Sequence, residues 1–204
     1  MSDFTAFVQL GFRHIIDVSA LDHLLFLLAL AAGYRARQWR DALWVVSAFT
    51  VGHSLTLALA TAGVVVFDQG AVEFLIPLTI VATTVENVAG AGRAPARRPV
   101  ARALLAATFG LIHGAGFADY LRSLFLEHLA VPLLGFNVGI ELAQIVALAA
   151  IAVLLAGIDA ALRSARGSAR TANGGWSVAR LRVVGLSVVV ACVAGAWAVE
   201  RRPW

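Results

Sequence analysis

The chain has 204 residues, of which 60% are hydrophobic and only 14% charged, and its mean hydropathy is +0.85. A soluble domain carries about a quarter charged residues, so this composition excludes an ordinary soluble enzyme and sets the class as integral membrane. The formal net charge is +4 and every basic residue is an arginine. These arginines cluster in short loops, as the positive-inside rule expects, which removes nucleic-acid binding as their explanation.

The first nine residues, MSDFTAFVQ, hold an acidic residue and no basic one. That makes a poor secretory signal, and direct insertion of a single transmembrane domain over 1–204 is expected. A bilayer-crossing helix needs about 20 mostly apolar residues. The apolar runs that approach this length predict an all-α, polytopic bundle of about six spans: Ala20–Gly33, Ala42–Val64, Ala71–Gly90, Ala101–Phe117, Pro132–Gly157 and Leu181–Val199. The first is short, so the segment 1–18 either helps it cross or lies along the interface before it. Ser19-Ala-Leu-Asp22 has the form of a variant capping box, which allows the backbone to break or restart near Ser19. No internal repeat is visible. The lone cysteine, Cys192, excludes an intramolecular disulfide and a cysteine metal cluster.

Arginine content fixes an expected orientation. Arg35, Arg37 and Arg40 follow the first span, Arg93, Arg97, Arg98 and Arg102 surround the third loop, and Arg163, Arg166, Arg170, Arg180 and Arg182 surround the fifth. The alternate loops hold only Arg122. The arginine-rich loops are therefore expected to be cytoplasmic, in a bacterial-type inner membrane, with both termini outside. Arg201 and Arg202 run against that. The basic loop at about 163–180 reads as a solvated topology signal, with binding of anionic headgroups as the alternative.

Ionisable groups within apolar spans are costly and mark functional sites. Gly11 to Leu28 places His14, Asp17, Asp22 and His23 at the mouth of the first span. The second span carries Thr50, His53 and Ser54, and offsets of three and four put them on one helix face. The third carries Thr79, Thr83 and Glu86 on one stripe, with Asn87 beside it. The fourth carries His113 between Gly110 and Gly114, a small-xxx-small pair that permits close helix approach. The fifth carries Asn137, Glu141 and Gln144 on one face. With a rise of about 1.5 Å per residue, His53 falls near the midplane, His113 and Glu141 in the outer half, and Glu86 closer to the cytoplasm. His23, His53, His113 and Glu141 are expected to converge, with Asp22 orienting an imidazole and Glu86 standing below them. Imidazole with carboxylate suits nickel, cobalt, zinc or ferrous ions. Each residue also has a plainer reading: Asp22 as a helix cap, Asn137 and Gln144 as interhelical glue, Glu86 as the partner of an arginine, and His128 as an ordinary surface residue.

The pattern resembles the HupE/UreJ family of small integral membrane proteins. Gly11-Phe-Arg-His14, Leu21-Asp22-His23-Leu-Leu-Phe26, Gly52-His53-Ser54-Leu-Thr56, Glu86-Asn87, Phe109-Gly110-Leu-Ile-His113-Gly114 and Phe136-Asn137-Val-Gly139-Ile-Glu141 carry the likeness. The family is associated with hydrogenase and urease accessory genes and is regarded as nickel or cobalt permeases. The resemblance thus implies a first-helix metal motif at His14, Asp22 and His23. On a continuous helix His14 and His23 would be turned about 180° apart, so either the chain breaks near Ser19 or only His23 belongs to the central site.

Two functions follow. One is a divalent-metal permease that captures its ion at Asp22 and His23, relays it through His53, His113 and Glu141, and releases it past Glu86. The other is an intramembrane zinc hydrolase acting on a lipid or peptide, with three histidines on the metal and Glu86 or Asp22 as general base. Expected partners are the metal ion and the bilayer, with a homo-oligomer or a metalloenzyme-maturation protein as further options.

Overall fold

In an apolar surrounding the backbone amides must be satisfied within their own segment, and long runs of Leu, Ala and Val therefore form helices. The computed structural model describes residues 3–18, 21–34, 38–91, 99–118, 120–121, 130–166 and 176–204, and no strand occurs among them. The helices are α1 (Asp3–Ile16), α2 (Asp22–Ala32), α3 (Trp39–Thr61), α4 (Gln69–Gly90), α5 (Pro99–Ala115), α6 (Ala130–Arg166) and α7 (Val178–Glu200). Each of the six expected spans coincides with one of α2 to α7, and the N-terminal segment is the separate helix α1. Helices α3, α4, α6 and α7 are long and apolar enough to cross a membrane; α2 and α5, at 11 and 17 residues, are shorter.

The bundle's surface is apolar where a soluble protein's would be charged. Val51 and Leu55 on α3, Leu104 on α5, Val153 on α6 and Val189 on α7 are all exposed, while Thr50, His53, Thr83, Asn87 and Gln144 are buried. Lipid on the outside and polar groups turned inward is the arrangement of a membrane protein.

Two helix pairs set the frame. α3 packs most closely on α5, and α1 on α6. The first pair meets through glycine. A Cβ on Gly110 would collide with the Phe49 carbonyl oxygen, one on Gly114 with the His53 carbonyl oxygen, and one on Gly52 with the Ala107 carbonyl oxygen. The four-residue step on both helices makes the pair parallel and brings the backbones of His53 and His113 together. The second pair meets the same way, with Gly11 against the Phe136 carbonyl and Gly139 against the Val8 carbonyl. Phe26, Phe49, Phe136, Leu57 and Ile140 fill the centre.

The first helical region differs from expectation in detail. α1 ends at Ile16, and α2 begins at Asp22 with Leu21 in the N-cap position and no side-chain cap. Asp22 therefore caps nothing; its carboxylate turns to Arg201, 3.0 Å away. Ser19 lies outside the described residues, as do Arg35, Arg37, Arg93, Arg97, Arg98, Arg122, His128 and Arg170. The basic loop begins later than expected. Helix α6 runs on to Arg166, and α7 restarts after Ser177, whose hydroxyl accepts from the Arg180 amide.

Candidate metal centre

The interruption after Ile16 is what builds the site. A continuous helix would hold His14 and His23 on opposite faces; with the chain broken, their ring centroids lie 4.6 Å apart. His14 is fixed one turn beyond Gly11, where α1 touches α6. His53 comes from the α3–α5 seam. One ring nitrogen from each of His14, His23 and His53 lies within 4.8 Å of the others. The His14 ring is 5.7 Å from that of His53, and the His23 ring is 5.9 Å from it.

These nitrogens are buried and lack hydrogen-bond partners. His53 is 0% exposed and His23 7%. Nε2 of His14, both nitrogens of His23 and both of His53 have no partner. A buried polar group left unpaired costs about 1–3 kcal/mol, and here several converge on one point. A cation accepting their lone pairs would remove that cost at a stroke. Three neutral imidazoles with open positions left over suit a borderline divalent ion.

His113 stands beside the triad. Its ring is 5.3 Å from that of His23. Its Nε2 lies 2.9 Å from the Thr79 hydroxyl on α4, while its Nδ1 is unpartnered. Aromatic rings wall the group on two sides. Phe117 and Phe136, stacked with centroids 5.4 Å apart, cover His14, and Phe117 approaches it to 4.1 Å. Phe26 and Phe49, stacked at 4.7 Å, cover His113.

The carboxylates are elsewhere. Glu141, expected with the histidines, accepts a 2.7 Å hydrogen bond from Ser47. Ser47 lies six residues before His53, about 9 Å along α3. Asn137 and Gln144 join the same seam, paired with Ser54 at 2.6 Å and Thr50 at 2.8 Å. These polar residues of α3 and α6 therefore act as interhelical glue. Glu86 accepts from Arg102 at 2.8 Å, and Asn87 accepts from the same guanidinium at 3.1 Å while donating to the Ala29 carbonyl at 2.6 Å. Asp17 is exposed, and its amide donates to the Arg13 carbonyl; it does not join the triad. Asp22 is next to His23 in the chain but is held by Arg201. Pairing of Glu86 with an arginine is the plainer of its two sequence readings, and Arg102 supplies it; the partner of Asp22, Arg201, lies 179 residues away and was not foreseen. The signal available was an arginine within reach of a helix end that bears a lone carboxylate.

Comparison with curated proteins and with solved structures found no match. A family model described as HupE / UreJ protein matches residues 1–201, nearly the whole chain. The sequence motifs, the helical bundle and this match agree: the chain belongs to the HupE/UreJ family.

Proposed function

We propose that the protein is a permease for a divalent transition metal of the nickel or cobalt type, with the ion held in transit by His14, His23 and His53. The observation that carries this is the buried triad of imidazoles whose facing nitrogens have no protein partner. His113 borders the triad and can take up the ion as it leaves. Asp22, beside His23, attracts the cation on approach. The ion is cargo, and each ligand must be in its deprotonated form to bind it.

Two observations favour carriage over hydrolysis. The polar stripe on α4 continues away from the histidines: Thr79 touches His113, Thr83 lies one turn on, and Glu86 lies two turns on, about 10 Å in all. Asp22 and Glu86, the carboxylates a hydrolase would use as general base, are each engaged by an arginine. The orientation that fits the arginine-rich loops puts the Asp22 end outside an inner membrane and the Glu86 end in the cytoplasm.

The test is uptake of Ni2+ and Co2+ into liposomes containing the purified chain, with binding followed by calorimetry. One ion per chain and saturable uptake are expected, both lost in His53→Ala while helix content stays unchanged. Nickel and cobalt affinities in His53→Ala equal to those of the unaltered protein would refute the reading.

A further inference from the structure

Beyond the histidines, at the far end of the α4 stripe, lies a second constellation. A cavity of about 20 Å3 opens between α2, α4 and α5, lined by Phe26, Tyr34, Thr83, Glu86, Asn87 and Arg102 among others. A void of about 10–15 Å3 holds one water-sized guest, so this one admits a single small ion or a water. Phe26 divides it from the metal centre: the same ring lines the cavity and lies 5.5 Å from His113. The stripe Thr79, Thr83, Glu86 thus runs from the imidazoles, past that ring, to the cavity.

Two oxygens here already face a cation, the guanidinium of Arg102. Arg102 Nε donates to the Glu86 carboxylate at 2.8 Å, its Nη2 donates to Asn87 Oδ1 at 3.1 Å, and its Cζ sits 5.0 Å from the centre of the Tyr34 ring. Asn87 is 3% exposed and its amide nitrogen is tied to the Ala29 carbonyl, which turns Oδ1 toward the guanidinium. Gly33 makes room for this arrangement; a Cβ there would collide with Asn87 Oδ1 and crowd Arg102. The side chains of Arg102 and Glu86 remain 27% and 40% exposed, so the pair stands at the rim of the bundle.

We propose that Glu86 and Asn87 form a second, inner site for a divalent cation, and that Arg102 is its tethered occupant, which must swing aside for an ion to leave. This rests on the permease reading for its purpose, though not for its chemistry. A carboxylate and an amide oxygen make a harder donor set than imidazole. The inner site therefore binds cobalt or nickel more weakly than the triad does, as release requires. The arginine closes the path by charge: a dication approaching Glu86 meets a guanidinium already spending that carboxylate.

The experiment counts Co2+ bound to the purified full-length chain by equilibrium dialysis. The unaltered protein is expected to bind one equivalent. Arg102→Gln is expected to bind two, the second more weakly, and Arg102→Gln with Glu86→Gln is expected to return to one. If Arg102→Gln does not fold, Arg102→Met, which keeps the stem against Tyr34, carries the same expectation. His53→Ala with Arg102→Gln isolates the inner site. One equivalent there beside none in the unaltered protein sustains the inner site and removes the triad. An Arg102→Gln protein that binds no additional Co2+, or whose added equivalent survives Glu86→Gln, overturns the proposal.

Discussion

His14 is the member of the imidazole triad that the sequence placed least well. Its spacing from His23 is wrong for one ion on one helix, and the chain break after Ile16 repairs it. If the triad holds the ion, His14→Ala weakens Ni2+ binding as severely as His53→Ala. Loss of a partner that merely orients a ligand costs about 10–100-fold in affinity, so loss of a ligand is expected to exceed a hundredfold by calorimetry. Glu141→Gln is expected to leave Ni2+ affinity within a few-fold, because Glu141 faces Ser47 and not the triad. The depth argument that grouped Glu141 with the histidines used one coordinate, height along the helix. The face it presents depends on how α6 rolls against α3, and no periodicity in α6 alone reports that. Protons compete with the metal for the imidazole lone pairs, so affinity is expected to fall as pH falls and binding to release protons. Calorimetry in buffers of different ionisation enthalpy measures both.

At the scale of elements, the helices were legible and their seams partly so. Hydropathy located α3, α4, α6 and α7 because apolar runs in lipid have no alternative to helix. The Gly110–Gly114 pair announced a close crossing, and α3 is the helix that crosses there. Gly135 and Gly139 on α6 form a second pair at the same four-residue step, equally visible in the sequence, and α1 crosses there, with Gly135 against the Phe4 carbonyl and Gly139 against the Val8 carbonyl; Gly11 alone has no such partner in its own helix. These contacts fix the imidazoles by fixing backbones. Gly114→Ala pushes a methyl into the His53 carbonyl, and overpacking of this kind costs about 1–3 kcal/mol. The expected result is a lower melting temperature in detergent and weakened metal binding together. Gly157, on α6 with nothing within 4 Å of its would-be Cβ, is the control. There Ala replaces Gly in an open helix interior and is expected to stabilise by up to about 1 kcal/mol, with metal affinity unchanged.

At the scale of the molecule, each end of the histidine cluster has a carboxylate held by an arginine outside its own helix: Asp22 by Arg201 at the end of α7, and Glu86 by Arg102 on α5. Arg201 and Arg202 run against the expected orientation, because the C-terminus lies on the side expected to be outside. The pairing with Asp22 gives Arg201 a local role and leaves Arg202 as the exception. The Glu86–Arg102 pair has the more exposed carboxylate of the two, and an exposed pair contributes about 0–1 kcal/mol, so that latch opens at little cost to the fold. If the protein is a permease, topology decides which end of the path faces the outside. With Cys192 replaced by serine, single cysteines introduced as Val66→Cys, in the α3–α4 connection, and Ser164→Cys, near the end of α6, report the two faces; both positions are exposed. A membrane-impermeant maleimide added to intact cells is expected to label the first and to reach the second only after the membrane is opened. That outcome puts Asp22 on the outer side and Glu86 on the inner side, the sense that the proposed uptake requires. Labelling in the opposite sense would put Glu86 and Arg102 on the outer face and contradict it.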